Sequence, residues 1–336
     1  MKAACISARE TVGIVDKAVP EPRDDWVRVA VSAAGICGSD LHIFHHLRDA
    51  LKGIQPGHET AGIVDALGDG VDLKLGTKVA IEPLTWCGTC YQCLQGYHNR
   101  CADRQLIGVS RPGGMAEFVE VPASSLHVLP DRLGDNVAAL TEPMAVCVRG
   151  VRLAHIDLGD RVAVLGAGTI GVLSVLAARD AGASEIYVTA RYPHQADVAR
   201  ALGATEVFSD YQAMLDALGA TLDVVIETVG GTADTITEAT TLARAGAVIV
   251  TLGVFQGTIT LPGMAICGNE LTLVGSNCYA RDARKGDFAL GVELAVRHED
   301  LLAPLVTHRF KLDQVAEAYA TAADKRSGAL KVQLEP

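Results

Sequence analysis

The sequence predicts an α/β protein in which a β-rich lobe is followed by a doubly wound parallel sheet. The chain has 336 residues, a length at which single hydrophobic cores stop growing, so we expect about two domains. Hydrophobic residues make up 49% of the chain but aromatic residues only 4%, and there are 34 glycines. This composition favours parallel strands with tight strand-to-helix turns over a β-sandwich.

The first lobe is predicted from short alternating segments that extend to about residue 145. Gly, Pro and Asp separate the segments, a pattern that is typical of small antiparallel strands. They cover residues 26–31, 62–66, 78–81 and 116–121. We therefore expect a β-rich domain over residues 1–145.

The hydrophobic pattern changes at residue 160, where apolar strand-like segments begin to alternate with helical stretches. Residues 161–165 show a strand pattern, a glycine turn and a helical run follow, and residues 185–189 show the next strand pattern. Further short apolar segments lie at residues 223–226, 247–250 and 271–274. This order predicts a parallel sheet with helices on both faces over residues 146–280. Residues 281–336 are too few for another domain, so we expect them to return to the first lobe.

A glycine-rich turn stands between the first strand and the first helix of this sheet. The run Gly166-Ala167-Gly168-Thr169-Ile170-Gly171 has the spacing and the context of a dinucleotide-binding fingerprint. Gly166 makes the tight turn, Gly168 lets the backbone approach a pyrophosphate, and Gly171 lets helix and strand pack closely. The helix N-terminus stabilises the negative charge of the pyrophosphate. Residues 166–171 therefore predict a nicotinamide coenzyme.

The end of the second strand predicts which coenzyme is used. An NAD site usually places Asp or Glu there to bind the ribose hydroxyls. This sequence has Ala190 at that position and Arg191 next to it. Without the carboxylate a 2′-phosphate is not repelled, and the guanidinium can pair with it. NADP(H) is therefore predicted in preference to NAD(H).

Four cysteines close together predict a closed metal site. The spacing of Cys87, Cys90, Cys93 and Cys101 allows four thiolates to surround one tetrahedral cation, which is the pattern of structural zinc. The corresponding lobe covers about residues 84–103. The other five cysteines are single, which indicates reduced thiols rather than disulfides.

Residues upstream of this lobe combine the ligand types of a catalytic metal site. The first run is Cys37-Gly38-Ser39-Asp40-Leu41-His42, and the second is Pro56-Gly57-His58-Glu59. A thiolate, an imidazole and carboxylates are the mixture that catalytic zinc uses when one position stays free for water or substrate. The sequence therefore predicts a second, open zinc site.

The order of these motifs along nearly the whole chain resembles the zinc-dependent medium-chain dehydrogenase/reductase superfamily. The first run, Gly57-His58-Glu59 and the pair Glu142-Pro143 are closer to its threonine and polyol (sorbitol-type) dehydrogenase branch than to the animal alcohol dehydrogenases. Those enzymes have a cysteine at the position of Glu142. The resemblance implies a GroES-like catalytic domain and a Rossmann coenzyme domain.

The resemblance also implies roles for individual residues. Cys37 and His58 would be zinc ligands, and Glu59 would be a nearby carboxylate able to enter the ligand shell. Glu142 would be the third ligand or a partner through water, and the choice between the two glutamates stays open. Asp40 would fix the tautomer of His58 from behind.

A proton path is implied at the rim of the same site. Ser39 would hydrogen-bond the substrate oxygen, and His42 would carry the proton onward to solvent. The implied reaction is reversible oxidation of a secondary alcohol, or reduction of the matching ketone. By resemblance, residues that line the substrate pocket include Phe44, Pro83, Leu84, Trp86, Asn277 and Tyr279.

The substrate itself stays open among polyols, cyclitols, amino alcohols and hydroxylated biosynthetic intermediates. Two alternative functions also stay open. One is a zinc-free enone or quinone reductase of the same superfamily, which should lack the ligands at Cys37 and His58. The other is a catalytically silent NADP(H)-binding sensor or structural protein.

Charge and edge patterns predict the partners. The net charge of −11 disfavours nucleic acid and anionic membranes as partners. We see no targeting segment and no uncharged apolar stretch of about 18 residues, so we expect a cytoplasmic protein.

The strand near residues 270–276 is expected to end the parallel sheet, and in the family such edges pair between subunits. This predicts a homo-dimer or a homo-tetramer.

Overall fold

In the computed structural model, which describes residues 1–281 and 285–336, the chain divides into two units. One unit consists of residues 1–142 and 280–336, and the other consists of residues 143–279. Among the described residues, no helix combines the length and the apolar character needed to cross a lipid bilayer.

The strands and helices of both units are numbered in chain order. The strands are β1 (Lys2–Ala8), β2 (Thr11–Asp16), β3 (Trp26–Gly35), β4 (Glu59–Leu67), β5 (Lys78–Ile81), β6 (Leu84–Thr85), β7 (Gln105–Leu106), β8 (Phe118–Pro122), β9 (Leu126–Val128), β10 (Arg161–Leu165), β11 (Glu185–Thr189), β12 (Glu206–Phe208), β13 (Leu222–Glu227), β14 (Ala243–Thr251), β15 (Thr272–Gly275), β16 (Val306–Lys311) and β17 (Lys331–Glu335). The α-helices are α1 (Gly38–His45), α2 (Tyr91–Leu94), α3 (Asp135–Ala138), α4 (Thr141–Ala154), α5 (Thr169–Ala181), α6 (Pro193–Ala201), α7 (Tyr211–Leu218), α8 (Thr235–Leu242), α9 (Gly263–Gly268), α10 (Asp287–Arg297), α11 (Glu299–Leu302) and α12 (Val315–Ala323).

The first unit is built on a mainly antiparallel sheet with the order β16-β17-β3-β4-β5-β9, and β8 also pairs with β3. Most inward positions of β3 are buried and alternate with half-buried ones, as expected of a strand with one face on a core. The pairing of β3 with β4 continues until Gly35 lies opposite Glu59. This register brings the chain that enters Cys37 beside the chain that leaves His58.

β3 and β4 are longer than the sequence predicted. The predicted segments were residues 26–31 and 62–66, whereas the observed strands are Trp26–Gly35 and Glu59–Leu67. Residues 32–35 are small and have low strand propensity, so they carry no strand signal. Hydrogen bonding to the neighbouring strand extends the ladder beyond the propensity signal.

The second unit contains six parallel strands in the order β12-β11-β10-β13-β14-β15. The strand order reverses between β10 and β13, which is the switch point at which doubly wound sheets bind their ligands. β12 was not predicted, because three residues are too few to show a periodic pattern. β15 lies at the edge of the sheet. The predicted α/β class with a doubly wound parallel sheet is confirmed.

Candidate active site

Cys37 lies immediately before α1, where the chain passes from strand to helix. Its backbone N–H donates to Asp40 Oδ2 at 2.9 Å. Its carbonyl oxygen accepts hydrogen bonds from the N–H groups of Asp40 and Leu41 at 3.1 and 3.2 Å. These bonds close the first turn of α1 and hold the backbone of Cys37 in one position.

His58 and Glu59 lie where the chain enters β4. The preceding residues 55–57 are held by N–H groups of residues 113–115, which donate to their carbonyl oxygens at 2.8–3.0 Å. His58 is 5% exposed and Glu59 is 1% exposed. The ligand atoms of Cys37, His58 and Glu59 all lie within 4.8 Å of one another. One sulfur, one imidazole nitrogen and one carboxylate therefore converge, a donor set that suits catalytic zinc.

Asp40 is buried behind His58, with Oδ1 3.6 Å from His58 Nδ1. Burial by itself would lower the pKa of His58, but the charges of Asp40 and then Cys37 raise this pKa well above its usual value. Burial raises the pKa of Asp40, and the His58 charge opposes that shift. Since Nδ1 faces Asp40, Nε2 is the nitrogen left to bind a metal, as expected for a carboxylate behind a histidine ligand.

Glu59 also forms a buried ion pair with Lys331 of β17. Burial by itself would lower the pKa of Lys331, but the Glu59 charge raises this pKa above its usual value. Lys331 was not predicted from the sequence. One signal was available in the sequence, namely a lysine flanked by the apolar residues Leu330 and Val332. A lysine that is buried in a strand usually has a carboxylate partner.

Glu142 lies in the first turn of α4 and is 7% exposed. Among the described residues, the group of ligand atoms within 4.8 Å that contains Cys37 and His58 includes Glu59 but not Glu142. The charge of Glu142 nevertheless contributes to raising the pKa of His58 and that of Lys331. Both glutamates therefore act electrostatically on this site.

Ser39 and His42 lie on α1 beside the ligand cluster. Ser39 Oγ is 3.2 Å from His58 Nε2, the nitrogen that faces away from Asp40. Both Ser39 and His42 are exposed, and His42 lies three residues further along the helix, on the same face. A hydroxyl therefore lies beside Nε2 of His58, and an exposed imidazole lies on the same face of the helix.

The four sulfurs of the cysteine lobe converge on one point. Their separations are 3.5 Å for Cys90–Cys93, 3.6 Å for Cys87–Cys101 and 4.0 Å for Cys87–Cys93. A tetrahedral zinc with Zn–S bonds of about 2.3 Å places its sulfurs about 3.8 Å apart, so the group fits. N–H groups of Thr89 and Cys90 lower the pKa of Cys87 to about 6, which favours the thiolate that a metal requires, whereas burial raises the pKa of Cys93 to about 12.

The glycine turn of the second unit has the conformation that the fingerprint requires. Gly166 has φ 94°, in the left-handed region, and a Cβ on Gly171 would collide with the Gly166 carbonyl oxygen. The turn is joined to the next strand, since Gly166 N–H donates to Thr189 Oγ1 at 2.9 Å. Ala190 and Arg191 follow Thr189 directly, and Arg191 is exposed. The predicted coenzyme residues are therefore grouped at the carboxyl edge of β10 and β11.

Comparison with known proteins gives the family. Residues 23–131 match the alcohol dehydrogenase GroES-like domain, and residues 169–295 match the zinc-binding dehydrogenase domain. Sorbitol dehydrogenase from Bacillus subtilis (strain 168) is 30% identical over 349 aligned positions, which cover 100% of this chain and 97% of that protein. This chain belongs to the zinc-dependent medium-chain dehydrogenase/reductase superfamily.

Solved structures agree with the polyol branch of this superfamily. Galactitol-1-phosphate dehydrogenase from Escherichia coli has a TM-score of 0.91 and 30% identity and covers 100% of both chains. A putative zinc-binding dehydrogenase from Sinorhizobium meliloti 1021, bound to NADP, has a TM-score of 0.90 and 32% identity and covers 100% of this chain and 99% of that one. The protein is therefore a medium-chain alcohol dehydrogenase, an oxidoreductase of alcohols and ketones that uses a nicotinamide coenzyme.

The side chains predicted to line the substrate pocket of this dehydrogenase lie in different environments. Pro83, Leu84 and Tyr279 are buried. The ring of Phe44 packs 5.1 Å from that of Tyr319, and the ring of Trp86 stacks 4.1 Å from that of His98. Their role toward substrate stays a prediction, as does that of Asn277.

Proposed function

We propose that this enzyme transfers a hydride between a secondary alcohol and NADP(H), with one catalytic and one structural zinc. The observation that carries the proposal is the convergence of Cys37, His58 and Glu59 within 4.8 Å, beside the exposed hydroxyl of Ser39. Cys37 and His58 would hold the catalytic zinc together with Glu59 or Glu142. Cys87, Cys90, Cys93 and Cys101 would hold the structural zinc.

When bound, zinc supplies a Lewis acid that lowers the pKa of an alcohol and polarises a carbonyl group. The residues of the chain position the ligands and transfer the proton. The Asp40 carboxylate faces the Nδ1 side of His58, which leaves Nε2 as the nitrogen that would hold the metal. In oxidation Ser39 would accept the hydroxyl proton as its own hydroxyl proton passes to His42, which releases a proton to solvent, and in reduction the same transfers would run in reverse. The Glu59 carboxylate contributes negative charge to the cluster, and Lys331 holds this carboxylate in place.

The coenzyme would bind along residues 166–171, with Gly166, Gly168 and Gly171 near the pyrophosphate and the N–H groups of Thr169 and Ile170 at the start of α5 directed to it. NADP(H) is favoured because Ala190 offers no carboxylate and Arg191 offers an exposed guanidinium. The coenzyme supplies the carbon that accepts or returns the hydride.

Two of the relatives named above, a sorbitol dehydrogenase and a galactitol-1-phosphate dehydrogenase, support a polyol as the substrate class. A polyol is therefore our first choice, ahead of a cyclitol, an amino alcohol or a related intermediate. We further propose a cytoplasmic homo-dimer or homo-tetramer that pairs through the sheet edge at β15.

The purified protein tests this function when it is incubated with NADP+ or NAD+ and a panel of polyols, cyclitols and amino alcohols. Nicotinamide absorbance reports turnover, and metal content is measured on the same samples. We expect turnover of at least one secondary alcohol and loss of more than about nine-tenths of the rate in Cys37→Ser, since Lewis-acid stabilisation is worth several kcal/mol. Cys267→Ser, at an exposed cysteine outside both clusters, is the matched control.

Three results would contradict the proposal. Full activity of Cys37→Ser would exclude the zinc role of this residue. Turnover of enones or quinones by metal-free protein would favour the zinc-free reductase. Coenzyme binding with no turnover of any alcohol or ketone on the panel would favour the silent sensor.

A further inference from the structure

Glu227 is the last residue of β13 and has 0% exposure. Its Oε1 accepts three hydrogen bonds, from the N–H groups of Val229 and Gly230 at 2.7 and 2.8 Å and from Thr235 Oγ1 at 2.8 Å. Its Oε2 is buried and has no hydrogen-bond partner among the described residues. Burying a carboxylate oxygen without a hydrogen-bond partner costs free energy. A buried carboxylate kept at that cost calls for an explanation, and the three hydrogen bonds to Oε1 point to one.

Those three bonds fix the loop that follows β13, and the same residue also fixes the loop that follows β14. The carbonyl oxygen of Glu227 accepts from the N–H groups of Leu252 and Gly253 at 2.8 and 3.1 Å. A Cβ on Gly253 would collide with Glu227 Oε2 and with the backbone nitrogen of Gly230, so only glycine allows this close approach. The two loops are further joined by the bond from Gly231 N–H to the Val254 carbonyl oxygen at 2.8 Å.

The next residue, Thr228, connects these loops to the glycine turn after β10. Its Oγ1 donates to the carbonyl oxygens of Leu165 and Gly166, at 2.8 and 3.2 Å. Glu227 and Thr228 together therefore link the carboxyl ends of β10, β13 and β14. These are adjacent strands at the switch point of the sheet.

The position of this network indicates which part of the coenzyme it serves. A doubly wound sheet consists of two mononucleotide-binding halves, and the dinucleotide lies across both at the carboxyl edge. Arg191 follows β11, so the adenosine end belongs to the half formed by β10 to β12. The nicotinamide end then belongs to the half formed by β13 to β15. Val229 and Val254, at 49% and 78% exposure, are exposed apolar side chains of these two loops.

We propose that Glu227 is a positioning residue for the nicotinamide half of the coenzyme. Its side chain acts by holding the loop of residues 228–231 in one arrangement beside the glycine turn, and this loop is bonded in turn to the loop of residues 252–256 through Gly231 N–H and the Val254 carbonyl oxygen. The inference rests on the proposed function in that it requires a bound dinucleotide, but it concerns a residue with no direct contact to the reacting atoms.

Binding of NADPH is compared with binding of adenosine 2′,5′-bisphosphate, which lacks the nicotinamide mononucleotide. Glu227→Ala should weaken NADPH binding by about tenfold and leave the bisphosphate within about twofold of the unaltered protein. Glu227→Gln keeps one acceptor oxygen and should give an intermediate loss. Thr235→Val removes one of the three donors and should show the same selective loss of NADPH affinity at smaller size. This variant replaces Glu227→Ala in the test if Glu227→Ala does not fold.

Asp223→Asn is the matched control. Asp223 is a carboxylate of the same strand at the opposite, amino edge, where Oδ2 accepts the Arg161 N–H and Oδ1 accepts Arg244 Nε. Its substitution should change stability without changing the ratio of the two affinities.

Equal weakening of both ligands, or no weakening of NADPH, in the Glu227 variants would overturn the inference. If the unaltered protein prefers NADH, the same ratio is measured with NADH and ADP. Unaltered protein that binds none of the four ligands would instead overturn the coenzyme assignment itself.

Discussion

The ammonium group of Lys331 donates hydrogen bonds to both carboxylate oxygens of Glu59, at 2.7 and 2.5 Å, although 272 positions separate the two residues in the chain. A third bond runs from Lys331 Nζ to the Ile36 carbonyl oxygen at 3.3 Å, next to Cys37. Both side chains are almost fully buried. The pair therefore places a charge-compensated carboxylate beside Cys37 and His58, the two residues proposed to hold the catalytic zinc.

Replacement of Lys331 by methionine should destabilise the protein strongly, because it leaves Glu59 buried without its partner. Breaking a buried ion pair in this way costs about 3–5 kcal/mol in the free energy of unfolding. Chemical denaturation measures it. Lys331→Arg should retain most of the stability, and adding Glu59→Leu to Lys331→Met should restore part of it. A loss of less than about 1 kcal/mol in Lys331→Met would mean that the pair is not coupled to folding.

The cysteine lobe should bind its zinc independently of the site at Cys37. Cys101→Ser should remove one of the two expected metal equivalents and lower the thermal midpoint, because structural zinc contributes directly to folding. Cys37→Ser should remove the other equivalent with a smaller effect on the midpoint. Metal analysis and calorimetry of both variants and of the Cys267→Ser control test this. Unchanged metal content in Cys101→Ser would contradict it.

Arg191 should determine the preference for the 2′-phosphate. Arg191→Ala should lower kcat/KM with NADP+ by about tenfold, the value of one charge-assisted hydrogen bond, and leave kcat/KM with NAD+ nearly unchanged. Ala190→Asp should add repulsion and shift the preference further toward NAD+. Arg200→Ala provides the control, since Arg200 is an exposed arginine of α6 that pairs with Asp197. A native preference for NAD+ of about tenfold or more would refute this assignment.

Ser39 and His42 should have separable roles in proton transfer. Ser39→Ala should lower kcat by about 10²-fold, the usual contribution of a positioned proton-transfer group. His42→Ala should lower the rate less and make it dependent on buffer concentration, because an external base can replace a histidine that faces solvent. His45→Ala, on the same helix, should do neither. Equal and buffer-independent loss in His42→Ala and His45→Ala would indicate a structural effect instead.

Asp223 should contribute to acid sensitivity. Burial opposes its ionised form, but the N–H of Arg161 and the guanidinium of Arg244 outweigh burial, so the pKa of Asp223 lies below its usual value. A carboxyl group whose pKa is lower in the folded state stabilises that state above the unfolded pKa of about 3.9, and this stabilisation is lost as pH falls through the folded pKa. Denaturation of the native protein and Asp223→Asn between about pH 6 and pH 3 should show their difference shrinking. A constant difference would contradict the linkage.

Much of the site could be predicted because its motifs are local. The four cysteines lie within a short loop, so their spacing already limits how their sulfurs can meet. The glycine run, its strand and its helix are contiguous, and backbone sterics at Gly166 and Gly171 determine the shape of the turn. The coenzyme preference is likewise predicted from two adjacent residues, Ala190 and Arg191.

The contacts that could not be predicted depend on strand register and on side chains distant in sequence. Glu82 and Arg281, whose carboxylate and guanidinium are 2.6 Å apart, are separated by 199 positions. The lysine partner of Glu59 and the loops fixed by Glu227 depend in the same way on which strands are neighbours. A one-residue change of register would turn Glu59, Lys331 or Glu227, which lie on strands, to the opposite face.

The sequence by itself determined the α/β class, the two metal-binding motifs and the coenzyme turn, because each is encoded in residues close enough for spacing and backbone geometry to dictate their arrangement. Only the tertiary structure decided that Lys331 neutralises Glu59, that Ser39 lies beside Nε2 of His58, and that Glu227 links the ends of three strands. These contacts join distant parts of the chain, and burial makes their pairing energetically necessary once packing has brought them together.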